Sequence, residues 1–382
     1  MSYPQDAPAR TGVRQHAMMP VPEHDDVARR SFVVSYMGHV NQTIEDGNHA
    51  IWDKRVSRAF RAENGREPKR VGEVRRAMLR EPYTQYWSSL RRCGKEMQYE
   101  SVGPMVERQL PDLIAKAKKY RDSNKKLGSL MLDPSIKAPR YNTEIEIHAK
   151  PGGYHTDLTE DDVFAGAEFD WTLDMVGMGT YGEWCDDMGA SLAAWTRKNL
   201  AQLEPSAILD MGCTIGHSTL PWVDYYPEAE IHAIDVAAPC LRYAHARAEA
   251  LGMKVQFAQD DAEHTRFEPR SFELIVSHIL LHELSYKAIH NIYKECFRLL
   301  KPGGYMLHMD LPPKRDMDTV THFLTDWNTH FQAEPFITTL TELDLHEVAT
   351  KAGFDRQETF EDYAPTLVPG FDGKRHLFGA RK

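Results

Sequence analysis

The 382-residue sequence predicts an α/β fold, in which a mostly parallel sheet is flanked by helices and an N-terminal α-helical domain precedes it. Short apolar runs alternate with amphipathic helical segments in the second half of the chain, a pattern typical of βαβ units. In the first half, apolar residues recur at helical spacing. The charge divides at the same place. Residues 1–150 carry 27 basic and 19 acidic side chains, whereas residues 151–382 carry 19 and 37.

The composition excludes several classes of protein. With 42% hydrophobic and 27% charged residues, the chain can bury a sizeable core, which excludes wholesale disorder. No apolar run reaches the roughly 20 residues of a membrane-spanning helix, and residues 1–20 lack the apolar core of a secretion signal. The five cysteines have no CxxC spacing, which favours reduced thiols over a disulfide framework or a zinc site. We therefore expect a cytoplasmic protein without a membrane partner.

Four segments are predicted along the chain. Residues 1–24 are rich in proline and form a flexible tail, and residues 25–150 form a helical domain that caps the active site or supports a homodimer. Residues 151–184 form a linker and active-site lid, and residues 185–382 form the ligand-binding domain. Within the helical part, residues 144–148 alternate like a short strand.

The strands and helices of the second half follow from the alternation of apolar runs with amphipathic segments. Strands are predicted at 207–210, 231–235, 255–257, 272–276, 305–309, 355–361 and 375–380, and helices at 186–203, 286–300 and 343–352.

The turn after the first of these strands, Asp-Met-Gly-Cys-Thr-Ile-Gly at residues 210–216, carries the clearest functional signal. Gly212 lets the backbone approach a ligand without a Cβ clash, and Gly216 allows close packing of the helix on the strand. A threonine at position 214 predicts a negative φ there. Asp235 ends the next strand, at the sheet edge where ligands bind, and a carboxylate there suits the hydroxyls of a ribose.

Four features fall at matching strand ends: this turn, Asp235, the acidic bend at 260–262 and the Lys-Pro-Gly-Gly turn at 301–304. Together they resemble the class I (Rossmann-like) S-adenosylmethionine-dependent methyltransferases of the small-molecule type. The resemblance covers roughly residues 185–382 and implies a seven-stranded sheet with S-adenosylmethionine as cofactor. A dinucleotide is disfavoured because Asp210 would repel a diphosphate.

The resemblance also implies which residues contact the cofactor, by the part of the molecule each would meet. These are Asp210, Gly212, Cys213 and Gly216 at the methionine portion, Asp235 and Val236 at the ribose, Asp261 and Ala262 at the adenine, Ser277 at the end of the fourth strand, and Tyr181 from the lid.

The segment after the fourth strand carries the candidate catalytic residues. His-Glu-Leu-Ser at residues 282–285 resembles the His–acid pair of small-molecule O-methyltransferases, which implies His282 as general base beside Glu283 and His278. A purely structural role for the two histidines, as i,i+4 neighbours on a helical turn, stays open. So does S- or N-methylation by positioning alone, which needs no base. No metal is predicted, because Glu283 is expected to point off the His282 face.

Further candidate site residues lie upstream, and each also has a purely structural interpretation. Tyr154 and His155, between the two parts of the chain, are predicted to bind substrate unless they only form a connecting hairpin. Tyr181 is predicted to contact the sulfonium and Trp184 to shape the pocket, unless the two form a core aromatic pair under the sheet. The excess of basic residues within 1–150 would suit a nucleic-acid partner. Solvated helix faces account for these charges more simply, so such a partner is not favoured. A non-catalytic, cofactor-binding partner subunit stays an alternative.

Overall fold

An eight-stranded sheet forms the centre of the computed structural model, which describes residues 15–177 and 180–382. Residues 1–14 of the predicted tail lie outside the described residues. The strand order is β1-β4-β3-β2-β5-β6-β8-β7, and β8 runs antiparallel to both of its neighbours. The strands are β1 (Ser129–Met131), β2 (Ala207–Met211), β3 (Glu230–Asp235), β4 (Gln256–Gln259), β5 (Phe272–His278), β6 (Leu300–Met309), β7 (Thr359–Pro365) and β8 (Lys374–Arg381).

The predicted fold class is confirmed, with two corrections to the strands. The count of seven is wrong because β1 adds a parallel edge strand beside β4, in register from Ser129 opposite Gln256. Gly128 permits this approach, since a Cβ there would lie 2.1 Å from the Val255 carbonyl oxygen. The strand predicted at 144–148 is also wrong. His148 has a φ of 62°, in the left-handed region that no strand adopts.

The helices cover both faces of the sheet and build the N-terminal part. Two π-helical turns, Val40–Ile44 and Trp52–Val56, join α1, α2 and α3. The helices are α1 (His24–His39), α2 (Glu45–Ile51), α3 (Ser57–Asn64), α4 (Val71–Met78), α5 (Pro82–Arg121), α6 (Arg140–Thr143), α7 (Phe164–Gly177), α8 (Asp187–Asn199), α9 (Leu220–Tyr225), α10 (Ala238–Ala250), α11 (Tyr286–Leu299), α12 (Thr319–Gln332), α13 (Ile337–Glu342) and α14 (Leu345–Ala352). Within the described ranges, no helix combines the length and apolarity needed to cross a membrane.

Two apolar cores lie on the two faces of the sheet, one under α11 and α14 and the other under α8, α9 and α10. The N-terminal helices are attached to this unit at two places. In the first, Val106 of α5 and Trp171 of α7 pack with Tyr243 of α10. In the second, Trp87 of α5 packs with Phe323 of α12, a helix that lies between β6 and β7. Residues 151–184, predicted as a linker and lid, thus contain a largely buried helix, α7.

Candidate active site

A cavity opens at the carboxyl ends of β2, β3 and β5, where open α/β sheets bind ligands. It contains about 1190 Å³ of space free of protein atoms, part of it open to solvent. The segment around His148, helix α7 and the turn after β2 contribute its walls. Ten of the predicted site residues line it: Asp210, Gly212, Cys213, Asp235, Val236, His278, Glu283, Tyr154, His155 and Tyr181.

The glycine-containing turn after β2 forms one wall of the cavity. Gly212 has a φ of 72°, and a Cβ there would lie 2.5 Å from a methyl of Leu280. The negative φ predicted for Thr214 is wrong, because its φ is 49°. A β-branched residue in this region costs roughly 1–3 kcal/mol. The Thr214 N–H donates to Asp235 Oδ2 at 2.9 Å, which stabilises the strained backbone.

Backbone strain of this kind recurs around the cavity. His148, Cys185 and Ile279 also line it and also have positive φ, at 62°, 54° and 54°. Such conformations persist only where the surrounding structure fixes them, and they concentrate at binding and catalytic sites.

Asp235 lies at the end of β3 and points into the cavity. Its Oδ1 accepts a hydrogen bond from the Ala237 N–H and its Oδ2 one from the Thr214 N–H, both at 2.9 Å. Each oxygen keeps a further lone pair for a ligand hydroxyl. Burial raises the pKa of Asp235, and the two backbone hydrogen bonds oppose that rise.

Asp210 and His278 form a buried pair beside the turn. Asp210 Oδ2 accepts a hydrogen bond from the Thr219 hydroxyl at 2.5 Å. Asp210 Oδ1 is buried without a hydrogen-bond partner in the described part of the chain, and it lies 3.3 Å from His278 Nδ1. A buried acceptor without a donor is expensive, so this oxygen suits a cationic or hydrogen-bonding ligand.

Another part of the site carries a cluster of two histidines and a glutamate: His148, His282 and Glu283, which we call the acid–histidine cluster. His148 Nε2 lies 3.0 Å from Glu283 Oε1, and His282 Nε2 lies 3.3 Å from the same oxygen. The Nδ1 atom of His282 lies 2.7 Å from Asp310 Oδ1, and that of His148 lies 2.5 Å from the Tyr154 hydroxyl. The expectation that Glu283 points off the His282 face is therefore wrong. Residues 281–283 form a 3-10 turn, which brings the adjacent side chains together.

The charges of this cluster shift the pKa values of its members. Burial raises the pKa of Glu283, but His148 and His282 outweigh it and hold that pKa well below its ordinary value. Burial lowers the pKa of His282, yet Asp310 and Glu283 raise it well above the ordinary value. The cluster is therefore a coupled acid–base unit, whose protons belong to the group as a whole.

Comparison with known proteins identifies the central part of the fold. Residues 208–304, which contain the glycine turn, Asp235 and the His282–Glu283 pair, match the family described as methyltransferase domain. Residues 208–304 belong to a methyltransferase domain. The family inferred from the sequence motifs and its cofactor are thus confirmed.

The relatives of the methyltransferase domain are similar to parts of this chain. Demethylmenaquinone methyltransferase of Thermus thermophilus is 31% identical over 128 residues, which are 33% of this chain and 57% of that protein. A tRNA N(3)-methylcytidine methyltransferase of Drosophila melanogaster is 27% identical over 119 residues, which are 29% of this chain and 36% of that protein. The chain thus spans about half or less of the length of these relatives.

A putative O-methyltransferase from Nostoc punctiforme superposes with a TM-score of 0.43 at 16% identity, and the match covers 76% of this chain and 72% of that one.

Six of the predicted site residues do not line the cavity: Gly216, Asp261, Ala262, Ser277, His282 and Trp184. Asp261 accepts a hydrogen bond from the Glu263 N–H at 2.9 Å, and Ala262 packs against the core under α11. The Ser277 hydroxyl lies 2.7 Å from His308 Nδ1, and His282 is buried behind Glu283. The carbonyl oxygen of Trp184 accepts a hydrogen bond from the Arg247 guanidinium.

Tyr181, from the segment predicted as a lid, lines the cavity. Its ring packs over Gly177, where a Cβ would lie 2.5 Å away, and the Arg375 guanidinium lies 5.5 Å from the ring centroid. Burial raises the pKa of Tyr181, so its hydroxyl is protonated and available as a donor. Tyr181 therefore lines the cavity next to Arg375 of β8, and its role as part of a lid stays a prediction.

The sequence patterns place His148 in a short strand and give no site role to Asp310 or His217. Asp310, which holds His282, directly follows β6, as Asp235 ends β3, so the strand-end rule used for Asp235 points to it as well. His217 lines the cavity, and burial lowers its pKa to about 3. No pattern in the sequence distinguishes His217 from a surface histidine.

Proposed function

We propose that the methyltransferase domain transfers the methyl group of S-adenosylmethionine to an oxygen atom of a small molecule. One observation carries the proposal: Asp210 and Asp235 face the same cavity as the acid–histidine cluster around Glu283. A cofactor site alone supports binding, whereas a cofactor site opposite a proton-accepting group supports transfer to a hydroxyl.

The residues present fit the cofactor. S-adenosylmethionine, when bound, supplies a methyl group on a positively charged sulfur. The carboxylates of Asp210 and Asp235 make this end of the cavity acidic, which favours a cation. Gly212 leaves the turn open where a Cβ would collide with Leu280, so the backbone is free to approach the ligand. Asp235 would accept hydrogen bonds from the ribose hydroxyls.

The acid–histidine cluster would receive the proton of the acceptor. Glu283 Oε2 is buried and has no hydrogen-bond partner within the described ranges, so it is available to an acceptor hydroxyl in the cavity. As the oxygen forms its bond to the methyl carbon, the bond from carbon to sulfur breaks and the hydroxyl proton passes to the cluster. His282, the predicted base, does not line the cavity but contacts Glu283, which does. We therefore assign it to orienting Glu283, with Asp310 fixing its ring.

The test follows a labelled methyl group. The protein is incubated with methyl-labelled S-adenosylmethionine and separate panels of hydroxyl, thiol, amine and tRNA acceptors, and both S-adenosylhomocysteine and labelled product are measured. We expect label in hydroxyl acceptors. Glu283→Gln should lower that rate by roughly 10²-fold or more while cofactor affinity is kept. Glu228→Gln, at an exposed position outside the cavity lining, is the matched control. Label confined to thiols, amines or tRNA would contradict the proposal, as would an unchanged rate in Glu283→Gln.

A further inference from the structure

Three side chains of the acid–histidine cluster have the chemistry and spacing of metal ligands. One ligand atom from each of His148, His282 and Glu283 lies within 4.8 Å of the other two. Both Nε2 atoms face the same carboxylate oxygen, at 3.0 Å and 3.3 Å. Two imidazoles and one carboxylate are a donor set that divalent transition metals prefer over Mg²⁺ or Ca²⁺.

Both imidazoles are oriented by contacts at their far nitrogens. Asp310 Oδ1 lies 2.7 Å from Nδ1 of His282, and the Tyr154 hydroxyl lies 2.5 Å from Nδ1 of His148. Metal-binding histidines are commonly fixed in this way, since a hydrogen bond at one nitrogen sets the tautomer and aims the other nitrogen at the metal. Asp310 and Tyr154 thus turn both Nε2 atoms towards Glu283.

The contacts within the cluster require positive charge between its members. A His282 imidazole that donates its Nδ1 proton to Asp310 presents a lone pair at Nε2, and that lone pair faces a Glu283 oxygen. Two lone pairs at this distance repel unless a proton or a metal ion lies between them. In the tautomer whose Nδ1 donates to the Tyr154 hydroxyl, Nε2 of His148 likewise presents a lone pair to Glu283. That nitrogen also lies 3.4 Å from Glu334 Oε1. One divalent ion would satisfy both contacts.

The cluster also has a carboxylate oxygen that is unpartnered among the described residues, and further carboxylates lie around it. Glu283 Oε2 is buried without a hydrogen-bond partner in the part of the chain that the structure describes. Glu334 and Asp310 add two further buried carboxylates, and the cationic groups that face Glu334 are Lys95 and Arg91. Burial lowers the pKa of Lys95, which weakens its contribution to balancing the carboxylates. A divalent ion bound to neutral imidazoles would add positive charge where the carboxylates meet.

We propose that His148, His282 and Glu283 bind a divalent transition-metal ion, with Glu334 as an adjacent carboxylate able to complete the ligand set. His148 and Glu283 line the methyl-transfer cavity, so an open coordination position would face the acceptor. An acceptor hydroxyl bound there would pass its proton to Oε2 of Glu283, as in the reaction proposed above. The hydroxyl oxygen would then form the new bond to carbon as the bond from carbon to sulfur breaks, without any change in the oxidation state of the metal. This role rests on the proposed function, whereas metal binding itself does not.

The experiment measures metal binding directly. The full-length protein is stripped with a chelator and then titrated with Co²⁺ by visible absorption, and with Zn²⁺ and Mg²⁺ by calorimetry. We expect stoichiometric binding of Co²⁺ and Zn²⁺, with the visible bands of nitrogen-coordinated Co²⁺, and no binding of Mg²⁺. Failure of the wild-type protein to bind Co²⁺ and Zn²⁺ would overturn the proposal without any variant. Equal affinity for Mg²⁺ and Zn²⁺ would overturn the assigned ligand set.

Variants locate the ion within the cavity. His148→Ala and Glu283→Gln should each weaken Zn²⁺ binding at least 10²-fold, and Asp310→Asn should weaken it about 10- to 100-fold through the orientation of His282. His155→Ala should bind Zn²⁺ as the wild type does. Circular dichroism confirms that each variant is folded. Wild-type affinity in folded His148→Ala would overturn the site.

The same samples separate this proposal from the proposed function. Methyl transfer by a stripped protein that binds no metal would overturn the metal site and leave the transfer reaction intact. Stoichiometric Zn²⁺ binding without S-adenosylhomocysteine formation on any acceptor would support the site and contradict the reaction.

Discussion

Replacement of Asp235 by asparagine tests the cofactor site most directly, because the change alters charge and hydrogen bonding but hardly alters size. Asp235 accepts one hydrogen bond at each oxygen, from the N–H groups of Thr214 and Ala237. An asparagine amide offers a single acceptor oxygen, so one of these N–H groups loses its partner. A buried donor left unsatisfied costs about 1–3 kcal/mol.

Two further effects set the expected magnitudes. The neutral amide avoids the cost of burying a charge, the same cost that raises the pKa of Asp235, so part of the loss is recovered. We expect the free energy of unfolding to fall by about 1–2 kcal/mol. A ribose hydroxyl would also lose a hydrogen bond to a charged acceptor, which is worth about 1.5–3 kcal/mol. Cofactor affinity should then fall about 10- to 150-fold.

The assay combines calorimetric titration of S-adenosylmethionine with thermal unfolding in its presence and absence. At a cofactor concentration of about 100 times Kd, the wild-type protein gains about 2.7 kcal/mol, whereas a variant with 100-fold weaker binding gains only about 0.4 kcal/mol. Glu230→Gln is the matched control, since Glu230 begins the same strand and is exposed at its other end. An unchanged affinity in Asp235→Asn would refute the placement of the cofactor at the end of β3.

Two further predictions concern stability. Burial lowers the pKa of His308 to about 4. Below about pH 6.5 the unfolded chain takes up a proton at this residue that the folded protein excludes, so His308 should lower stability by about 1.4 kcal/mol per pH unit down to about pH 4. His308→Gln should reduce the measured slope by about this amount in urea unfolding, while the contribution of His217 stays. An unchanged slope would contradict the assignment. At Gly189, a Cβ would lie 2.0 Å from the Ser218 carbonyl oxygen, so Gly189→Ala should cost about 3 kcal/mol or more in denaturant unfolding. Gly72→Ala, in an open position of α4, should stabilise by up to about 1 kcal/mol, and equal effects of the two substitutions would refute this packing argument.

The sheet and the cofactor turn were predictable because their signals are local. The buried strands appear as continuous apolar runs, and the turn after β2 is marked by glycines at positions that require positive φ. Strand β1 has no such signal. It is only three residues long and depends on pairing with β4, more than 120 residues further along the chain.

The acid–histidine cluster was only half predictable. His282 and Glu283 were found because they follow a strand, at the place where ligands bind. His148 joins them from more than 130 residues upstream, through a left-handed backbone conformation that its sequence pattern did not indicate. The positive φ of Thr214 was missed for a similar reason, since the stabilising contact comes from Asp235 on another strand.

The packing of α12 against the N-terminal helices has a consequence for synthesis on the ribosome. Trp87 of α5 is covered by Val320 and Phe323, which follow it by more than 230 residues. At about 5–20 residues per second, its apolar surface stays uncovered for roughly 10–50 s after it emerges. During that interval the nascent N-terminal helices present an unfinished core. We therefore expect this part of the newborn chain to be a binding site for chaperones, and to be released from them only when α12 has left the ribosome.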